Sequence, residues 1–265
     1  MHLSLPDGTE IEWRVEGREG PLVAIASMSL QPPIAFRPIV EDLAEDHRVL
    51  TYDQRGLGGS SRSGPYDLET DADDLAAVIE EAGGDALVIA LGDGARRAVR
   101  AGARRPDLIH TVLISGEQPL GTLDESASRR SLAESPAVLA ALLQLLETDY
   151  RSGLRTMFES GDEGWDETAL RERLDAIEAH CPRDAGVARL RAWVLDDSRE
   201  QARAMGDRLW VLHYPGNAWF RGTLETIRPE LPKANFEPVP EGVLTCPEEN
   251  AAVIRRILAR RRAAA

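Results

Sequence analysis

Lysine is nearly absent from this chain: Lys233 stands alone among 31 basic residues. A catalytic Schiff base has only that one candidate, which turns the reading away from pyridoxal-phosphate chemistry. Histidine is sparse as well, limited to His2, His47, His110, His180 and His213, with no pair at metal-ligand spacing. The two cysteines, Cys181 and Cys246, sit in no metal-binding pattern and read as reduced thiols. There is no P-loop and no GxGxxG after a strand, so neither a cofactor nor a metal is expected. No apolar run approaches the roughly 20 residues that span a bilayer. The start, MHLSLPDGTEIEW, lacks a basic stretch followed by an apolar one and does not read as a signal peptide. A cytoplasmic protein is the expectation, with no membrane partner. Positive charge is also in deficit. A net charge of −14 repels phosphate backbones and argues against nucleic acid. The runs Arg255-Arg256 and Arg260-Arg261-Arg262 read as a solvated helix face beside acidic neighbours.

What is present is a chain able to bury one sizeable core. It has 265 residues, 43% of them hydrophobic. Short β-branched and aliphatic runs alternate with amphipathic stretches, the pattern of a mostly parallel sheet wrapped by helices. Strands are expected at His2–Leu5, Glu10–Val15, Leu22–Ala26, Val49–Tyr52, Ala86–Leu91, Thr111–Ile114, Leu209–His213 and Asn235–Val239. Helices are expected at Phe36–Glu45, Glu69–Glu81, after the Gly92-Asp93-Gly94-Ala95 turn to about Arg104, and at Pro247–Arg261. From about Gly121 to Gly206 the strand signal vanishes, and Pro136–Tyr150, Glu167–His180 and Val187–Met205 carry helical periodicity. The expected organisation is a core of residues 1–120 and 207–265, with a helical cap, 121–206, over the sheet's carboxyl edge.

This order resembles the α/β-hydrolase superfamily over nearly the whole chain. The most specific local likeness is Tyr52-Asp53-Gln54-Arg55-Gly56-Leu57-Gly58-Gly59-Ser60, which looks like the D-x-R-G-x-G-x-S segment of many members. The ending, with Pro247-Glu248-Glu249 opening an amphipathic helix, is similar too. The resemblance implies an α/β fold with helices on both sheet faces and a catalytic triad at three places. At the first, the nucleophile sits between small residues on a sharp strand-to-helix turn. Aligning Ala90 and Gly94 as those flanks puts Gly92 at the nucleophile, and glycine brings no nucleophilic atom. The alternative register makes Asp93 the nucleophile but requires bulky Leu91 where a small residue belongs. Asp93 reads better as a helix N-terminal residue capping exposed amides. At the second place, after the late strand ending Val211-Leu212-His213, Asn217 stands where an aspartate is expected, with Glu117 as a displaced candidate. A neutral amide holds a ring but does not stabilise an imidazolium by charge. At the third, the loop Val239-Pro240-Glu241-Gly242-Val243-Leu244-Thr245-Cys246 holds no histidine, and none follows His213. Val243 takes the vacated position, next to Leu244.

An oxyanion hole needs only backbone amides, so it is expected to survive, with Asp93 and a residue of Ser27-Met28-Ser29 as donors. Trp165, Trp193, Trp219 and Phe220 are candidates to line a pocket, although packing explains any one of them as well. Among members without the triad, the chain resembles in outline the bottromycin-type peptide aspartate epimerases of natural-product biosynthesis. That likeness implies a non-hydrolytic isomerase exchanging an α-proton of a peptide aspartate, with the substrate's own carboxylate as base. A second reading is a catalytically silent fold that binds a small molecule or peptide as carrier, scaffold or receptor. A third is a hydrolase with a relocated base, His213 or His110.

Overall fold

The computed structural model describes all residues except 32, 117, 119, 122–135, 160–165, 215–223 and 265. Eight strands form one sheet: β1 (His2–Ser4), β2 (Glu10–Glu16), β3 (Leu22–Ala26), β4 (Arg48–Tyr52), β5 (Ala86–Ala90), β6 (Ile109–Ser115), β7 (Leu209–His213) and β8 (Asn235–Pro238). Their spatial order is β1-β2-β4-β3-β5-β6-β7-β8. The pairings of β2 with β1 and with β4 are antiparallel, and all others are parallel. The fully buried runs Leu22–Ala26 and Ala86–Ala90 are the central strands, as continuous apolar segments flanked by glycine or proline require.

The helices are α1 (Arg37–Leu43), α2 (Leu68–Glu81), α3 (Gly94–Arg104), α4 (Pro136–Thr148), α5 (Tyr150–Glu159), α6 (Glu167–His180), α7 (Arg183–Leu195), α8 (Arg199–Met205), α9 (Leu224–Glu230) and α10 (Pro247–Ala264). Among the described residues none is long and apolar enough to cross a membrane. One face of the sheet packs on α1 and α10 through Ile39, Leu43, Ile254 and Leu258. The other packs on α2, α3 and α8 through Leu75, Ile79, Val99, Ala202 and Met205. The single periodic stretch expected over Val187–Met205 is two helices instead, broken at Asp196-Asp197-Ser198, where side chains that bond locally compete with the helix. The second of these, α8, packs on the sheet-side core rather than with α4–α7. The segment Arg255-Arg256 is not simply solvated: Arg255 pairs with Asp42 and Asp46, and Arg256 with Glu237.

Helices α4–α7 build their own apolar cluster from Leu146, Tyr150, Leu154, Leu170, Leu174 and Ile177. Leu30, from the loop after β3, and Leu57, from the loop after β4, complete it. The seam is also ionic. Arg189 of α7 reaches Asp71 of α2 with two bonds of 2.7 and 2.8 Å and donates to the Arg55 carbonyl at 2.7 Å. Arg55 in turn makes a two-pronged pair with Asp74 at 2.6 and 2.7 Å. The Arg189 and Asp71 side chains are 2% and 1% exposed. Replacing only one member of such a pair leaves a buried charge uncompensated, at a cost of about 3–5 kcal/mol. Arg189→Met is therefore expected to lower the urea-unfolding free energy by about that much, and adding Asp71→Leu should restore most of it. A double variant no more stable than the single one would contradict this account of the seam.

His180 closes α6, and its carbonyl accepts the Gly58 N–H at 2.9 Å. Burial holds its imidazole below the ordinary value of 6.5. The folded chain thus takes up this proton later than the unfolded chain does. Its contribution is intact above pH 6.5 and is lost as the pH falls below it. His180→Gln should flatten the stability profile below that value. An unchanged slope in urea titrations across the window would refute the assignment.

Candidate active site

The sheet order reverses at β3: the chain moves from β3 to β4 on one side, then crosses over to β5 on the other. The helices that follow, α1 and α3, lie on opposite faces. A crevice must open there, outside the carboxyl ends of the strands, and ligands of open α/β sheets bind in such crevices. Register does the rest. Ala26 pairs with Ala90, so Met28 and Gly92, each two residues further on, emerge side by side. Leu91 N–H donates to the Ala26 carbonyl at 3.1 Å and holds the two loops together.

Gly92 has φ +51°, a left-handed value that a side chain strains by roughly 1–2 kcal/mol. A Cβ placed there would stand 2.5 Å from Met28 Cγ. The thioether of Met28 therefore fills the space above the turn where a nucleophile would project. At Gly94 a Cβ would lie 2.1 Å from the Ala26 carbonyl oxygen, so the start of α3 touches β3 only because that residue is glycine.

Asp93 does not cap α3, contrary to the sequence expectation; its side chain makes no capping bond. It turns across to the β3 loop instead. Oδ1 accepts the Ser29 N–H at 3.0 Å, Oδ2 accepts the Ser29 hydroxyl at 2.5 Å, and Arg97 Nη1 donates to Oδ2 at 3.2 Å. Arg97 also donates to the Ser27 carbonyl, as does Gln54 Nε2 at 3.3 Å. Of the three loop residues expected at the site, Ser27 and Ser29 are thereby spent on this clamp and do not line the cavity, whereas Met28 does. The clamp also removes the case for Asp93 as a nucleophile, because both its oxygens already accept strong bonds. The Met28 and Asp93 backbone N–H groups have no partner among the described residues. Two donors thus remain beside the turn, as an oxyanion hole requires.

The cavity beneath the cap has a volume of about 270 Å³. Its floor is Met28, Leu91, Gly92 and Asp93, and one side is Ser115, which ends β6, with Gly116 and Gln118 beyond it. Val243 and Leu244, expected at the site, form another wall with Tyr214 and Thr245. The cap contributes Met157, Phe158, Arg173, Leu190 and Trp193. Glu117, Asn217, Trp165, Trp219 and Phe220 lie outside the described residues. The sequence reading missed Gln118 and Arg173. An apolar chain segment does not announce which loop glutamine turns inward, but Arg173 carries a signal, being a cation on the face of α6 that also holds Leu170, Leu174 and Ile177.

Among the described residues, no histidine or cysteine lines this cavity. His110 is buried at the amino end of β6, remote from the crevice, with Nδ1 2.8 Å from Thr111 Oγ1, so it is no relocated base. His213 ends β7 but is not among the lining residues. Cys181 belongs to the cap cluster, where burial pushes its thiol up to about 11. The Ser115 hydroxyl accepts the Val243 N–H at 3.3 Å, and the Thr245 hydroxyl donates to the Gly242 carbonyl at 3.1 Å.

Comparison with known proteins agrees with this architecture. Residues 31–264 match the model of the alpha/beta hydrolase family. The chain belongs to that family. It is 32% identical over 100 residues to a 2-(acetamidomethylene)succinate hydrolase of Mesorhizobium japonicum, a match covering 37% of this chain and 36% of that protein. The chain thus spans about a third of that relative's length. Solved structures match almost end to end. A bromoperoxidase from Bacillus anthracis superposes with TM-score 0.79 at 19% identity, covering 95% of this chain and 96% of that one. An alpha/beta hydrolase from Sphaerobacter thermophilus gives 0.72 at 25% identity, covering 96% and 98%.

The contact between Gly92 and Met28 is directly testable. Gly92→Ser should destabilise the family member by about 1–2 kcal/mol through backbone strain, with a further loss from displacing Met28. Because the two positions touch, Gly92→Ser with Met28→Ala should lose less than the two single losses added together. Strict additivity in chemical denaturation would show that the thioether does not fill that space.

Proposed function

We propose that this α/β-hydrolase family member is non-hydrolytic and polarises a bound carbonyl without attacking it, as an isomerase that exchanges a proton on the carbon beside that carbonyl. The observation that carries the reading is the pairing of Met28 with Gly92. The thioether stands where a nucleophile would project, while the Met28 and Asp93 amides beside it stay open. Val243, at the position where the family places its base, offers only an apolar surface. Such a site stabilises enolate-like charge but supplies no group to move the proton, so the substrate brings its own base. The likeness to bottromycin-type epimerases supplies a substrate that does so: an aspartate residue whose carboxylate reaches its own α-carbon, in a ribosomally made, modified peptide. The comparisons bear on the fold and on a family named for hydrolysis; the epimerase assignment rests on the sequence likeness and on the cavity's chemistry.

Hydrolysis is the competing activity, and it requires a base to activate serine or water. The deciding measurement uses a synthetic peptide with aspartate beside a thiazoline, incubated with the protein in D2O. Deuterium should enter at the aspartate α-carbon, one mass unit per exchanged site, with no cleavage. In parallel, p-nitrophenyl acetate should not turn over above background, and Gly92→Ser should not change that. Saturable peptide binding without deuterium gain would leave a carrier or receptor and overturn the isomerase. Ester turnover lost in His213→Ala would instead establish a hydrolase.

A further inference from the structure

Resting on the proposed reading for where the carbonyl lies, we infer that the cavity selects a neutral aryl group. The ligand is an arylalkyl acyl compound whose carbonyl meets the floor and whose ring fills the space under the cap. Charge decides first. Among the described lining residues only Asp93 and Arg173 are charged, and both are engaged. Asp93 accepts from Ser29 and Arg97. Arg173 donates to Gln31, and its guanidinium lies 4.7 Å from the Phe158 ring centroid. The Ser115 hydroxyl accepts the Val243 amide, and the Thr245 hydroxyl donates to the Gly242 carbonyl. A charge carried under the cap would lose its water and gain no counter-charge, which is strongly unfavourable. The group that fills this space is therefore uncharged. The carboxylate proposed as base stays at the floor, with the carbonyl it acts beside.

Volume sets the size. The cavity measures about 270 Å³, and one of about 150 Å³ holds a benzene molecule. There is room for a ring and a short linker to the carbonyl. The walls set the kind of ring. Aromatic residues make up 5% of the chain, yet Phe158, Trp193 and Tyr214 all line this one cavity. Met28 and Met157, two of the chain's four methionines, line it too. Aromatic rings attract one another in offset or edge-to-face arrangements, and thioether sulfur is attracted to ring edges. Both effects add to the burial of apolar area, and a saturated group of the same size gains the burial alone.

The test titrates three uncharged or singly charged amides against the intact protein by calorimetry: 3-phenylpropanamide, 3-cyclohexylpropanamide and 3-(4-carboxyphenyl)propanamide. The phenyl compound should bind about threefold more tightly than its saturated counterpart, and Trp193→Leu should narrow that gap. The carboxyphenyl compound should bind at least about tenfold more weakly than the phenyl compound. Leu190→Trp, which fills the space under the cap, should weaken 3-phenylpropanamide about tenfold or more, and Leu190→Met, close in volume, should leave it unchanged. Equal affinity for phenyl and cyclohexyl overturns the inference, as does equal affinity for the carboxyphenyl compound. Failure of 3-phenylpropanamide to bind at millimolar concentration, or full affinity in Leu190→Trp, overturns it as well. None of these probes can exchange a proton by its own base, so the two readings fail separately. Aryl selectivity in a protein that exchanges no deuterium sustains this inference and removes the isomerase. Deuterium exchange in the aspartyl peptide without any aryl preference sustains the isomerase and removes this inference.

Discussion

The site depends on one buried carboxylate. Asp93 is 8% exposed, and a charge so placed is tolerable only when fully engaged. Its partners come from two directions: Ser29, through amide and hydroxyl, and Arg97, one turn along α3. Because Arg97 also takes the Ser27 carbonyl, the chain is held on both sides of Met28. The carboxylate that the sequence reading placed at the start of the helix as a cap therefore holds the floor of the cavity instead. Everything at the carboxyl edge of β3 and β5 follows from this: the filled space over Gly92, the two open amides, and the apolar surface between them.

Helix α3 extends the logic outward. A helix at this place is buried on nearly every side, yet it carries Arg96, Arg97 and Arg100. Each ends on something structural. Arg96 donates to the carbonyls of Leu120, Gly121 and Asp196, all at 2.8 Å. Arg100 reaches Ser198 and Asp196 at 2.5 Å and Glu69 at 2.8 Å. Three neighbouring arginines thus hold the β3 loop and the two points where the chain leaves the sheet for the cap and returns. Guanidinium suits the task, since it presents five donors in a rigid fork and stays charged when buried. A chain with one lysine and thirty arginines uses the cation that tolerates burial.

Most of the fold was legible because its periodicities are strong. The continuous runs Leu22–Ala26 and Ala86–Ala90 are central strands, and Glu167–His180 begins and ends where its spacing places it. The turn at Gly92 was legible for the same local reason, that small residues flank a crowded backbone. What escaped was long-range. That Asp93 abandons the helix end for Ser29 involves partners 64 residues apart, which no local pattern encodes. The break at Asp196-Asp197-Ser198 was hidden because helical periodicity continues on both sides of it. Gln118 escaped because the inward direction of a loop side chain is set by loop geometry, not by residue type.

Magnitudes indicate what chemistry such a floor supports. Removing one oxyanion donor from a working hydrolase costs about 2.7–4 kcal/mol, and an active site stripped of its triad still retains about a thousandfold or more over water. That residue of catalysis falls far short of what amide hydrolysis needs, because the reaction also demands a nucleophile and a proton shuttle. Proton exchange beside a carbonyl demands less. Charge need only be stabilised on the oxygen, the role the proposed reading gives the Met28 and Asp93 amides in a site lined by Leu91, Val243 and Trp193. A carboxylate carried by the ligand acts as an intramolecular base, with the large effective concentration that fixed geometry confers. On the proposed reading, a site without nucleophile and base would avoid cleaving the bound carbonyl while keeping the electrostatic term on which exchange depends.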